Sequence, residues 1–175
     1  MVLTLLLIGA SIFVQDPQQE TLPGARNYTR VDATVACGGA TSAEAFPELK
    51  RRGFAAVINL RRAEEPGADV ESSRAAAEAA GLKYIHIPMD SSKPDTPAVD
   101  RFVEAVGDKA NQPVYIHCGS ANRVGGMWLI KRALLDGWPV EKAMAEAEAI
   151  GLRNAALKQF ALDYIEAKRK TRRDR

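Results

Sequence analysis

The segment 115–124, with the sequence YIHCGSANRV, contains the residues of this chain that are best suited to chemistry. Cys118 follows His117 directly at the end of an apolar run, and Arg123 comes after four intervening residues. A cysteine thiolate is a nucleophile, and a thiol at the start of a helix beside a cation has a lowered pKa. The planar fork of an arginine can bind two oxygens of a tetrahedral anion. The spacing therefore predicts an anion-binding site with a cysteine nucleophile.

The residues between Cys118 and Arg123 favour a tightly curled loop. Gly119 can adopt backbone conformations that are closed to other residues, and Ser120 and Ala121 are small. A curled loop turns successive N–H groups inward and forms an anion-binding nest. The backbone groups expected to bind a phosphate-like anion are those of Gly119, Ser120, Ala121, Asn122 and Val124.

His117 is predicted to support the cysteine rather than to contact a ligand. Neighbouring strand residues point to opposite faces, so His117 should face away and act on Cys118 through hydrogen bonds from behind. Zinc requires three or four convergent ligands, and this chain has only two histidines and two cysteines. We expect neither a metal nor a cofactor.

Runs with strand and helix character alternate along the chain and must position this loop. Strands are predicted at 28–32, 34–39, 54–60, 82–89 and 113–117, and helices at 41–53, 68–81, 98–108, 123–137, 139–151 and 154–170. This order predicts an α/β fold with a central, largely parallel sheet of four to five strands and helices on both faces. Ligands bind such sheets where a loop leaves the carboxyl end of a strand, which is the position of Cys118.

The two ends of the chain differ from its middle. The first residues, MVLTLLLIGASIFV, have the length of a signal-peptide core and are short for a membrane span. We expect residues 1–25 to be an apolar segment and linker, 26–167 to form one domain, and 168–175 to be a basic tail. Export, for example to the periplasm, is predicted; the alternative is a cytoplasmic protein whose first segment packs on the domain.

The charge distribution argues against nucleic-acid binding. The final eight residues hold six of the 24 basic residues, which leaves a slightly acidic body with few aromatic residues. Membrane contact is expected only through the N-terminal segment. Cys37 is predicted to be a small buried strand residue, and a disulfide with Cys118 is the alternative.

Three ordered segments carry a resemblance to a known family. GGATSAEAFPELKRRGFAAVINLR, IPMD and VYIHCGSANRVGG together resemble the bacterial phosphatase-like domain of beta-lactamase hydrolase-like proteins, within the superfamily of cysteine-dependent tyrosine and dual-specificity phosphatases. The similarity covers roughly residues 28–165. It implies a dual-specificity-phosphatase-like fold and a phosphoric monoester hydrolase acting on a phosphorylated protein or a small phosphoester. In this resemblance Cys118 is the nucleophile and Arg123 stabilises the transferred group.

The same resemblance places a general acid in the loop PMDSSKPD. Asp90 follows the strand directly and is the preferred residue, with Asp95 as the alternative. Both lie in sequences that also favour turns or helix caps. The site thus consists of Cys118, Arg123 and Asp90, with the amides of the loop.

Two departures from the phosphatase pattern keep other functions open. The tyrosine phosphatase loop has five residues between Cys and Arg, whereas this chain has four, and its nest is one amide shorter. A spacing of four resembles the rhodanese sulfurtransferases, so sulfur transfer is an alternative. Val124 stands where many such phosphatases have Ser or Thr, so a catalytically weak anion-binding protein is another.

Overall fold

The computed structural model of the protein describes residues 17–174 as an α/β fold around one six-stranded sheet. The strands are β1 (Gln18–Gln19), β2 (Thr29–Arg30), β3 (Val35–Gly38), β4 (Ala56–Asn59), β5 (Lys83–His86) and β6 (Val114–His117). The helices are α1 (Ala45–Arg51), α2 (Val70–Ala79), α3 (Thr96–Gly107), α4 (Asn122–Leu134), α5 (Val140–Ile150) and α6 (Ala155–Arg173). The sheet order is β1-β2-β3-β6-β4-β5, in which β3, β6, β4 and β5 are parallel and β1 and β2 are antiparallel.

The predicted fold class is confirmed, but the sheet has one strand more than the four to five expected. The additional strand, β1, comes from residues expected to be a linker, and Leu22 of the same region is only 2% exposed. A strand of two polar residues has no period-two pattern, so the sequence could not indicate it. The predicted signal-peptide segment lies outside the described residues.

The parallel strands are covered on both faces because their side chains alternate. Tyr115 of β6 packs in a core with residues of α1 and α2, whereas its neighbour Ile116 packs in the larger core under α3, α4, α5 and α6. Helix α4 lies at the centre of the larger core, where eleven of its thirteen residues are buried. The N-terminus of α4 is thereby held at the end of β6.

A buried polar cluster joins the elements at the opposite end of α4. The guanidinium of Arg132 stacks between Trp128 and Trp138 and donates to both oxygens of Glu146, at 2.6 and 3.1 Å. Burial alone would lower the pKa of Arg132, but the hydrogen bonds that it donates to Glu146 and Asp136 raise the pKa above its ordinary value. The charged groups of this cluster are paired with one another, so we assign the cluster a role in stabilising the fold.

The C-terminal basic residues belong to a helix rather than to a separate tail. Helix α6 continues through the boundary expected at 167, and Arg169 and Arg172 donate to backbone carbonyls of Ala133, Trp138 and Leu134. Basic side chains stabilise the unpaired carbonyls at the end of α4. Within residues 17–174, no helix is long and apolar enough to cross a membrane.

Candidate active site

Cys118 lies at the centre of the carboxyl edge of the sheet. It follows β6, which is paired on one side with β3 and on the other with β4. Its backbone N–H donates to the Gly38 carbonyl at 3.3 Å, and the residue is 1% exposed. A group that reacts with the sulfur must therefore enter the loop rather than lie across its rim.

The loop after Cys118 curls directly into α4. The Gly119 carbonyl accepts from the Ala40 N–H at 3.0 Å, and Ala121 has a left-handed backbone conformation (φ 69°) before α4 begins. The first-turn N–H groups of any helix lack an intrahelical acceptor, and no side chain among residues 17–174 caps those of α4. They include the amides of Arg123 and Val124, and they face the position where an anion is expected.

Asn122 and Val124 can contribute to an anion site only through their backbones. The Asn122 side chain turns away, because its Oδ1 accepts the N–H groups of Arg153 at 2.9 Å and Asn154 at 3.2 Å. The side chain of Val124 is fully buried. Asn122 thus connects the loop to the α5–α6 connection.

The guanidinium of Arg123 is anchored on one edge and open on the other. Its Nη1 donates to the carbonyls of Leu60 at 3.1 Å and Met89 at 2.8 Å and to Glu65 Oε1, and its Nη2 donates to Glu65 Oε2 at 2.8 Å. Its Nε–H and the second hydrogen of Nη2 have no oxygen or nitrogen acceptor among residues 17–174, and the guanidinium contacts the side chain of Cys118. Burial alone would lower the pKa of Arg123, but Glu65 and the nearby Cys118 raise it above its ordinary value. A fixed, charged fork is therefore available for two oxygens of a ligand.

Glu65 is the functional residue that sequence reasoning missed. Burial raises the pKa of its carboxyl, but the hydrogen bonds from Arg123 and from the Arg62 N–H lower it more, to about 2. Glu65 is therefore a carboxylate that holds Arg123 in place. The only available signal was that its turn, RRAEEPG, directly follows a strand that ends at the same edge as Cys118.

Arg61 stabilises this turn through hydrogen bonds to its backbone carbonyls. The residue is only 6% exposed. Its guanidinium donates to the carbonyls of Pro66 at 2.6 Å and Gly67 at 2.8 Å, and its own carbonyl lies 2.7 Å from His86 Nε2. The turn itself thus supplies the carbonyl acceptors for this buried arginine.

Asp90 lies one residue after Met89, whose carbonyl contacts Arg123. Its carboxylate accepts the Ser92 hydroxyl at 2.6 Å and the Ser92 N–H at 2.8 Å, and it pairs with Arg62 at 2.9 Å. These contacts, the Ser92 hydroxyl first, lower the pKa of Asp90. Without a ligand, Asp90 is therefore ionised at the edge of the site.

Asp95 is the N-cap residue of α3. Its side chain accepts the Ala98 N–H at 2.8 Å and caps the N-terminus of α3. This contact alone explains an aspartate at this position.

His117 is buried and packs on a neighbouring ring. Its ring stacks on Tyr115 with centroids 5.8 Å apart, and neither ring nitrogen has a hydrogen-bond partner among residues 17–174. Burial first, and then the charges of Arg61 and Arg123, lower the pKa of His117 to about 3. The ring is neutral, and the expected hydrogen bonds behind Cys118 are absent within the described part of the chain.

The two cysteines are not joined. Both Cys37 and Cys118 are free and buried. Cys37 lies in β3, where burial raises the pKa of its thiol. Its predicted role as a small buried strand residue is confirmed, and the disulfide alternative is wrong.

Sequence comparison identifies the family. Residues 29–135 match the family model described as the beta-lactamase hydrolase-like protein, phosphatase-like domain. The chain belongs to this family. It is 28% identical over 125 residues to a beta-lactamase hydrolase-like protein of Xylella fastidiosa, covering 69% of this chain and 27% of that protein. It is 29% identical over 107 residues to one of Agrobacterium fabrum, covering 60% of this chain and 25% of that protein. The chain thus spans about a quarter of the length of these curated relatives.

Solved structures share the fold. TpbA of P. aeruginosa superposes with a TM-score of 0.63 at 20% identity, covering 85% of this chain and 88% of that one. The core catalytic domain of the PP-IP phosphatase SIW14 of S. cerevisiae gives 0.66 at 19% identity, covering 87% and 96%. The expected phosphatase-like fold is confirmed.

Proposed function

We propose that this protein is a cysteine-dependent phosphatase that hydrolyses phosphoesters through a phosphocysteine intermediate. The observation that carries the proposal is the open edge of Arg123, fixed by Glu65 beside Cys118 at the start of an uncapped helix. This arrangement suits a tetrahedral dianion, since it offers a guanidinium fork and backbone N–H groups around a nucleophile.

In the first step, the Cys118 thiolate attacks phosphorus and the bond to the leaving oxygen breaks. The loop amides and Arg123 stabilise the charge on the three remaining oxygens. Water then attacks the phosphocysteine, the sulfur–phosphorus bond breaks, and inorganic phosphate and the thiolate are released.

Asp90 is the proposed acid that protonates the leaving oxygen in the first step and accepts a proton from water in the second. In the ligand-free chain the carboxyl is ionised, and a neighbouring phosphate dianion raises the pKa of such a group by repulsion. Substrate binding thus favours the protonated form that the first step requires.

The comparisons support this chemistry. The family is a phosphatase-like domain, TpbA has been solved in complex with pTyr, and SIW14 is a PP-IP phosphatase. We propose a phosphorylated protein or a small phosphoester as substrate. The proposed location is outside the cytoplasm, as the N-terminal segment suggests, and measuring where the full-length chain accumulates tests it.

Sulfur transfer is the second candidate, because four residues separate Cys118 and Arg123. Thiosulfate has a good leaving group and needs no acid, so this reaction would not depend on Asp90.

Two parallel assays separate these reactions. The purified protein should release phosphate from an aryl phosphate and should not form thiocyanate from thiosulfate and cyanide. Cys118→Ser should abolish the hydrolysis while leaving phosphate binding, measured by calorimetry, in place, because a serine hydroxyl stays protonated. Full hydrolysis by this variant, or thiocyanate formation without hydrolysis by the wild type, would overturn the proposal.

A further inference from the structure

We propose that Arg26 is a specificity-determining residue that binds a second anionic group on the leaving-group side of the substrate. The inference rests on the proposed phosphatase function and adds a substrate class to it: phosphoesters whose leaving group carries a carboxylate or another phosphate.

The backbone of Arg26 is fixed against the strand that borders the Cys118 loop. Its N–H donates to the Ala40 carbonyl at 2.9 Å, and its carbonyl accepts the Gly39 N–H at 2.7 Å. The Gly24 carbonyl accepts the Ser42 N–H at 2.8 Å, which holds the preceding turn. The position of Arg26 is therefore set before any ligand binds.

Gly39 places the side chain of Arg26 on the same side as the loop. A Cβ on Gly39 would lie 3.4 Å from the Arg26 Cβ and 3.3 Å from the Gly119 carbonyl oxygen. Ala40, the next residue, donates its N–H to the same oxygen at 3.0 Å. The Arg26 side chain thus starts beside the first residue after Cys118.

The guanidinium of Arg26 is exposed and has no partner in the part of the chain that the structure describes. The residue is exposed, and its side chain has no hydrogen bond, ion pair or ring contact within residues 17–174. Other arginines around the loop are engaged: Arg62 pairs with Asp90, and Arg153 donates to carbonyls at the end of α5. Arg26 is therefore an exposed cation near the loop that makes no structural contact through its side chain among the described residues.

The depth of the nucleophile determines which part of a substrate reaches this cation. Because Cys118 is buried, the phosphoryl group enters the loop and the leaving group remains at its mouth. An anionic group there meets Arg26, which can bind a carboxylate or phosphate through two parallel hydrogen bonds. For a partly exposed pair, this contact raises kcat/KM about 2- to 5-fold.

A matched pair of small substrates isolates the second charge. The phosphate ester of hydroxyphenylpropionate and that of hydroxyphenylpropionamide have the same reacting phenol and differ only in a remote carboxylate. We expect the wild type to prefer the carboxylate ester about 2- to 5-fold in kcat/KM, and Arg26→Gln to lose this preference. Arg101→Gln, at an exposed arginine of α3, should keep the wild-type ratio.

A second control separates a specific contact of Arg26 from the general positive electrostatic potential around the Cys118 loop. Lys93 is also exposed and lies beside the Asp90 turn, so Lys93→Gln removes the same charge from the same edge and should largely keep the preference. A ratio that survives in Arg26→Gln, a wild-type ratio of one or less, or an equal loss in both variants would overturn the proposal.

Binding to a Cys118→Ser background tests the inference without turnover. The ratio of the two dissociation constants, measured by calorimetry, should show the same preference and lose it when Arg26→Gln is added. If the wild type hydrolyses neither ester, the proposed function fails, while this binding ratio still supports or overturns the role of Arg26.

Discussion

At the scale of single residues, the guanidinium of Arg123 joins three separate parts of the site. It donates to the backbone carbonyls of Leu60 and Met89, which lie just after β4 and β5, and Glu65 accepts from its Nη1 and Nη2. A lysine could not make these contacts and also present a fork, because an ammonium is a single point of charge. The anchoring of Arg123 therefore explains why this loop needs both an arginine and a glutamate.

The role of Asp90 as the acid can be tested by comparing how much its substitution slows hydrolysis of esters with poor and good leaving groups. Asp90→Asn should slow hydrolysis of phenyl phosphate by on the order of 10²-fold or more, and of nitrophenyl phosphate much less, because the better leaving group needs little protonation. Steady-state rates on both esters provide the measurement.

Asp95→Asn is the matched control, since asparagine also caps a helix and should preserve α3. Small and equal losses on both esters for Asp90→Asn would reject Asp90. A leaving-group effect in Asp95→Asn would assign the acid to Asp95 instead.

At the scale of elements, α4 positions the site because it packs unusually close to its neighbours. A Cβ on Gly125 would lie 2.7 Å from the Ala147 carbonyl oxygen of α5 and 2.9 Å from the backbone nitrogen of Leu152. Backbone atoms cannot yield as a flexible side chain can, so a glycine is required at this contact. This close approach fixes the helix start that carries Arg123.

Gly125→Ala should therefore lower the free energy of unfolding, by about 1–2 kcal/mol, because overpacking outweighs the better helix propensity of alanine. Urea denaturation followed by circular dichroism measures the change. Gly107→Ala is the control: its Cβ would lie 3.6 Å from a Leu135 methyl, an ordinary contact, so stability should be unchanged or slightly higher. Equal stability of Gly125→Ala and wild type would contradict this packing account.

At the scale of the whole molecule, sequence reasoning predicted the layers and the location of the site better than its contacts. Alternating strand and helix patterns determine a parallel sheet, and the carboxyl ends of its strands share one edge, so Cys118 could be placed from periodicity alone. The hydrogen-bond partners of the site residues could not be predicted in this way. Glu65 and Arg123 are 58 residues apart, and local spacing carries no signal for such a pair. The burial of Arg61 likewise depends on carbonyls that the sequence pattern does not reveal, and β1 is too short to show a strand pattern.

The most direct test of the central claim is the mass of the whole protein during turnover. Asp90→Asn, mixed with nitrophenyl phosphate and quenched in acid, should gain one phosphoryl group, since the first step needs little acid and the second step lacks its base. Peptide mapping should place this group on Cys118, and the double variant with Cys118→Ser should not acquire it. Nitrophenol release with the phosphoryl group on another residue, or with none bound under conditions that slow the second step, would contradict the account.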